Sequence, residues 1–93
     1  MNFEWDDKKN KINIQKHGYS FKKAAKVFLD ENRIESDYYQ ENGEWRFDVI
    51  GKIKEIVFVV CTDRKEDTIR IISARKATKR EEEIYYGDYY YDF

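Results

Sequence analysis

Six consecutive apolar residues, Ile56-Val57-Phe58-Val59-Val60-Cys61, sit inside a chain in which 40% of residues are charged. A run this short and this rich in β-branched side chains reads as a strand covered on both faces, because a half-exposed strand would alternate. It is also far too short to span a bilayer. A doubly covered strand demands neighbours, and the flanking sequence supplies them. Trp45, Phe47 and Val49 alternate with Arg46 and Asp48 before it, and Thr68 to Ala74 reads as another strand after it. Gly51-Lys52 reads as the first turn and Arg64-Lys65-Glu66-Asp67 as the second. Three successive strands then form an antiparallel meander, with a fourth contributed by Ile34 to Tyr39.

The rest of the chain is helical in pattern. Phe3 and Trp5 suggest a short strand leading to Asp6-Asp7, either of which can cap a weakly amphipathic helix from about Lys8 to Lys16. His17-Gly18 ends it, with glycine as a left-handed cap. Ser20 opens a second helix, in which Phe21, Ala24, Ala25 and Phe28 follow helical spacing. Thr78 followed three residues later by Glu81 is a capping box for a third, packed through Ile84 and Tyr85. The pattern predicts an α+β fold over a single domain, residues 1–93. Two N-terminal helices and a C-terminal helix cover one face of a four-stranded antiparallel sheet. With 93 residues the chain can bury one modest core.

Charge narrows the function. A formal net charge of −1 excludes a uniformly basic nucleic-acid binder. The distribution is uneven, however: Arg70, Arg75, Lys76, Lys79 and Arg80 are clustered with no acid between them. If that segment faces a partner, it can attract phosphates while the molecule as a whole stays acidic. One cysteine and one histidine without ligand spacing give no expectation of a metal or cofactor. Cys61 lies in an apolar strand, which disfavours its thiolate. With no apolar leader near Asn2–Asp7 and no disulfide, the expected address is the cytoplasm, away from membranes.

Several motifs are similar to those of a known family. Phe3-Glu4-Trp5-Asp6, Asn13 with Lys16-His17-Gly18, Ser20-Phe21, and Ala25 with Val27-Phe28 resemble the opening of the BrnT toxins. Arg46 with Ile50-Gly51, Thr62 with Arg64, and the run Ile69-Arg70-Ile71-Ile72-Ser73-Ala74-Arg75-Lys76-Ala77-Thr78-Lys79-Arg80-Glu81 resemble its second half. The resemblance implies a type II toxin with a RelE-like fold that cleaves RNA without a metal. It also implies a BrnA-like ribbon-helix-helix antitoxin that covers the toxin in a hetero-oligomer. Operator DNA would be met only through that antitoxin.

Such chemistry needs a 2′-hydroxyl activated, the charge of the in-line transition state neutralised and the departing 5′-oxygen protonated. Arginine suits the second task, since its planar fork grips phosphate in two places. Candidates are Arg46, Arg64, Arg70 and Arg75. With tight turns, Arg46 lies opposite about Phe58 and Phe58 opposite about Ser73. Arg46, Asp48, Ser73 and Arg75 then share a face, and Arg46 and Arg75 can share a phosphate. Arg64 falls roughly 20 Å from Arg75 at ~3.3 Å per residue.

His17 is a candidate acid or base, and Lys16, Arg70, Lys76, Lys79 and Arg80 are candidate RNA contacts. Each has a plain alternative: a helix-end cap for His17, a salt bridge to Glu81 or Glu82 for Arg75, a cross-strand acid for Arg46, and a solvated face for Lys79 and Arg80. Trp5 and Trp45 read as core residues before base-stacking ones. The tyrosine-rich, acidic residues 87–93 suggest a protein-binding surface. The competing function is a non-catalytic module that holds a protein or nucleic acid without cutting it.

Overall fold

Ile56–Arg64 is the middle strand of the sheet in the computed structural model, which describes residues 1–87. The strands are β1 (Asn2–Glu4), β2 (Ile34–Glu35), β3 (Tyr39–Glu41), β4 (Glu44–Lys52), β5 (Ile56–Arg64) and β6 (Thr68–Lys76). The helices are α1 (Asp7–His17), α2 (Phe21–Ala24), which tightens into a 3-10 helix at Ala25–Leu29, and α3 (Lys79–Tyr86). The tyrosine-rich surface expected of residues 87–93 lies, apart from Gly87, outside the described residues.

The sheet is mixed and six-stranded, in the order β1-β6-β5-β4-β2 with β3 also paired to β4. This corrects the four-stranded antiparallel expectation. β1 pairs parallel with β6, Asn2 to Thr68 and Glu4 to Arg70, and three residues are too few to carry a strand period in sequence. The expected strand from Ile34 to Tyr39 divides in two. Between the halves, Ser36 takes over the pairing with Asp48: its hydroxyl accepts from the Asp48 amide at 2.8 Å.

Helices also lie on both faces instead of one. Val57, Val59 and Cys61 of β5 and Phe47 and Val49 of β4 point to the inner face, against Tyr19, Phe21, Ala24 and Val27. Ile50, Ile56 and Phe58 point the other way, against Ala77, Ile84 and Tyr85 of the α3 segment. The doubly apolar run requires this second cover, because burying an aliphatic side chain contributes about 1.5–3 kcal/mol. Past Phe58 the cover ends: Val60, Asp48 and Ser73 are only half-buried, so the outer face is open there.

The expected turn at Gly51-Lys52 is a strand. Gly51 is buried, and a β-carbon built on it would stand 2.7 Å from Val27 Cβ. Glycine is needed because the 3-10 helix crosses the sheet at that point, and the turn moves on to residues 53–55. Pairing accordingly shifts, with Ile50 and not Arg46 facing Phe58. A bulge at Val60/Cys61 follows in the β5–β6 ladder.

Helix ends match their sequence signals. Asp6 caps α1 by accepting from the Lys9 amide, and Gly18 closes it at φ 78°. Ser20 accepts from Lys23 N, and Thr78 with Glu81 forms the full capping box. Asn13 does more than sequence suggests. β1 is too short to cover the whole edge of β6, and the buried Asn13 amide takes the missing strand's place at Ala74. Its Nδ2 donates to Ala74 O at 2.9 Å and to Tyr19 O at 2.8 Å, and its Oδ1 accepts from Ala74 N at 3.2 Å.

Candidate active site on the open sheet face

Arg75 faces Phe58 across the β5–β6 ladder, and its guanidinium carbon lies 4.3 Å from the Phe58 ring centre. Stacking leaves the planar edge free to fork. The fork closes on Glu81, with Nη1 donating to Oε1 at 2.8 Å and Nη2 to Oε2 at 3.0 Å. The capping box holds Glu81 from behind, since the Thr78 amide donates to Oε1 at 2.8 Å. Burial pushes the Glu81 carboxyl up, but Arg75 and Thr78 outweigh it and hold it below its ordinary range.

Asp48 lies on the same face, where the register carries it through Val60 to Ser73. The Tyr39 hydroxyl donates to Asp48 Oδ1 at 2.7 Å. Burial raises the Asp48 carboxyl against the opposing pull of that bond, and the charges of Glu81 and Arg75 reach it with opposite signs. Burial and the bond to Asp48 drive the Tyr39 phenol strongly upward. The open face thus holds an ionised carboxylate in an arginine fork beside a second carboxyl and a phenol that both resist deprotonation.

Arg46 shares the face but not the position expected for it. Four residues along β4 from Ile50 and two strands from Arg75, it sits roughly 16 Å from Arg75 between Cα positions, farther than the two-residue offset expected from tight turns. Its Nε donates to Glu44 and its Nη1 to Glu41, both at 3.0 Å. Arg64 faces Thr68 at the far end of the hairpin. It lies 3.6 Å from Glu4, to which Arg70 donates at 2.6 Å. These two arginines form a separate pair.

His17 and Lys16 are exposed in the last turn of α1 and line a cavity of about 200 Å³ that also reaches Ser73. Lys76, Lys79 and Arg80 are exposed around the start of α3. Trp5 packs edge-on against Phe21, with ring centres 6.5 Å apart. Trp45, in contrast, is 58% exposed, a correction to its reading as core: it lies on β4 beyond the reach of the helices. Burial pushes the Cys61 thiol far up. Among the described residues no group of three or more His, Cys, Asp or Glu is placed to hold a metal ion, and no helix is long and apolar enough to cross a membrane.

Sequence reasoning placed Asp48 on the right face and gave Glu81 a cap and a salt bridge to Arg75, but it gave neither a catalytic role, and it overlooked Tyr39. The signal for Glu81 was its capping box, which ties one carboxylate to a fixed place. Tyr39 carried no such signal, because the β3–β4 pairing that sets it over Asp48 is tertiary.

The model of one protein family, described as the ribonuclease toxin BrnT of type II toxin-antitoxin systems, matches residues 5–81. Among solved structures, the ribonuclease toxin BrnT of Brucella abortus is similar at 26% identity and a TM-score of 0.64. The likeness covers 85% of this chain and 99% of that one. Comparison with curated proteins gives no match.

Proposed function

The chain belongs to the BrnT family of ribonuclease toxins of type II toxin-antitoxin systems, and from that premise we propose that it is an endoribonuclease whose centre is the Arg75–Glu81 fork with Asp48 and Tyr39. It cleaves RNA without a metal, inhibits translation and growth, and acts as one domain in the cytoplasm. A BrnA-like ribbon-helix-helix antitoxin neutralises it in a hetero-oligomer, and the complex meets operator DNA through the antitoxin alone.

The observation that carries this reading is the fork itself, with two parallel bonds of 2.8 and 3.0 Å on a face that is open beside it. Guanidinium that holds a carboxylate bidentately presents the geometry that phosphate needs, and Arg75 keeps further N–H donors for a phosphate. Glu81, held ionised, takes the 2′-hydroxyl proton. The 2′-oxygen then attacks phosphorus in line, and Arg75 neutralises the charge that gathers on the phosphoryl oxygens. The bond to the 5′-oxygen breaks, and that oxygen takes a proton from the Tyr39–Asp48 pair, leaving a 2′,3′-cyclic phosphate and a 5′-hydroxyl end. His17, across Ser73 from this centre, is the second candidate proton carrier. Arg46 contacts RNA further along the face, with Arg64 and Arg70 beyond it and Lys76, Lys79 and Arg80 at the α3 end.

A second reading, a binding module that does not cut, draws support from the carboxylates that occupy the sheet arginines Arg46, Arg64, Arg70 and Arg75. One experiment separates the two. Purified, antitoxin-free protein is incubated with total RNA in EDTA beside Arg75→Ala and Glu81→Gln controls, and new ends are mapped. Chelator-resistant cleavage with 5′-hydroxyl ends, lost in both variants, is expected. Intact RNA from the folded wild type, or cleavage undiminished in Arg75→Ala, refutes the assignment.

A further inference from the structure

Lys9, Asn13 and Lys16 stand at i, i+4 and i+7 on α1, so their side chains run along one stripe of the helix. Asn13 fixes that stripe to the edge of β6 at Ala74. His17 and Ile12 from α1, and Ile72 and Ser73 from β6, complete the cavity of about 200 Å³ between them. Ile72 is the extra residue of the β6 bulge, unpaired between Ile71 and Ser73.

The electrostatics of this cavity differ from those of the sheet arginines. No carboxylate lines it. Among the described residues, Lys9, Lys16 and His17 have no ion-pair partner and the Ser73 hydroxyl has no hydrogen-bond partner. Basic residues in a last helical turn offset the negative end of the helix dipole, which accounts for Lys16 and His17. It does not account for Lys9, which sits in the first turn, where the dipole favours an acid, yet lines the same cavity. Two lysines and a histidine without ion-pair partners and a serine without a hydrogen-bond partner, all lining one hollow, offer donors suited to a compact oxyanion.

Ser73 and Arg75 are two residues apart on the same face of β6, roughly 7 Å along the strand. That spacing suits neighbouring phosphates of an extended single strand. Resting on the ribonuclease reading above, we propose that this cavity is a subsite for the RNA backbone phosphate one nucleotide away from the phosphate held at Arg75. It gives the strand a direction across the molecule, from the α1–β6 edge over Ser73 to the open face.

The test is equilibrium binding of a short 2′-O-methyl RNA, which cannot be cut, to the full chain over a series of salt concentrations. Lys9→Gln/Lys16→Gln, in which both exposed residues are changed, weakens affinity several-fold and flattens the slope of log Kobs against log salt by about 0.7, the value for one phosphate neutralised on a single strand. Ser73→Ala weakens binding without changing the slope, since it removes a donor and no charge. Lys65→Gln, on the far β5–β6 turn, serves as control. Wild-type affinity and slope in the double variant, or an equal loss in Lys65→Gln, overturns the subsite. Lysine-dependent binding by a protein that leaves the matching 2′-hydroxyl RNA intact in EDTA overturns the ribonuclease reading and leaves the phosphate site standing.

Discussion

Asn13→Ala is the substitution whose cost the structure specifies most completely. Asn13 is 5% exposed, and its amide makes three hydrogen bonds: to Tyr19 O, to Ala74 O and from Ala74 N. Ala74 is fully buried, so water cannot replace the lost partner without opening the junction of α1 and β6. At roughly 0.5–1.5 kcal/mol net for each neutral bond, three bonds amount to about 3 kcal/mol, and a stranded buried N–H adds to this. That is a large part of the 5–15 kcal/mol typical of a domain. In urea titration followed by circular dichroism, an m-value of about 1.5 kcal/mol/M turns the loss into a midpoint roughly 2 M lower. Asn13→Asp separates hydrogen bonding from packing, because it keeps the acceptor for Ala74 N but aims a carboxylate at two carbonyl oxygens. Those oxygens favour the protonated acid, raising its folded pKa above the unfolded value. The variant is therefore closest to wild type in acid and loses stability as pH rises. A loss below about 1 kcal/mol in Asn13→Ala, or no pH dependence in Asn13→Asp, refutes the idea that this side chain stands in for a strand.

Other perturbations read other joints. Gly51→Ala drives a β-carbon to 2.7 Å from Val27 Cβ, and overpacking of this kind costs about 1–3 kcal/mol; a midpoint equal to wild type in urea would show that the 3-10 helix can move aside. Glu81 is lowered in the folded chain, so its stabilisation is present above its unfolded value of about 4.3 and is lost as pH falls through the folded one. Glu81→Gln consequently lies about 1 kcal/mol below wild type at neutral pH, a figure kept small because the Arg75 side chain is 37% exposed, and the gap closes in acid; a gap constant from pH 7 to 3 would contradict this. Tyr85 donates to Asp30 Oδ2 at 2.6 Å, and burial with that bond pushes its phenol up to about 12. Tyr85→Phe removes a phenol that ionises near pH 12 from an ultraviolet alkaline titration and lowers stability by about 1 kcal/mol; an unchanged titration above pH 11 would refute the assignment.

Local chemistry was legible wherever a signal and its effect are neighbours in the chain. Asp6, Gly18, Ser20 and Thr78 cap helices through contacts within a few residues, so sequence alone located those ends. The apolar run of β5 declared cover on both faces, and the alternation of Arg46, Asp48, Ser73 and Arg75 fixed the face they share, because side-chain parity survives a register shift of an even number of residues. The spacing along that face did not survive. Gly51 looks like a turn until Val27, distant in sequence, is packed on it, and moving the turn carried Arg46 away from Arg75. The parallel pairing of β1, the placement of α3 on the outer face, the Asn13 clasp on β6 and the set of Tyr39 over Asp48 join residues far apart in the chain. Sequence named the groups capable of gripping a phosphate; tertiary packing decided which of them stand together, because only long-range pairing fixes distance across a sheet.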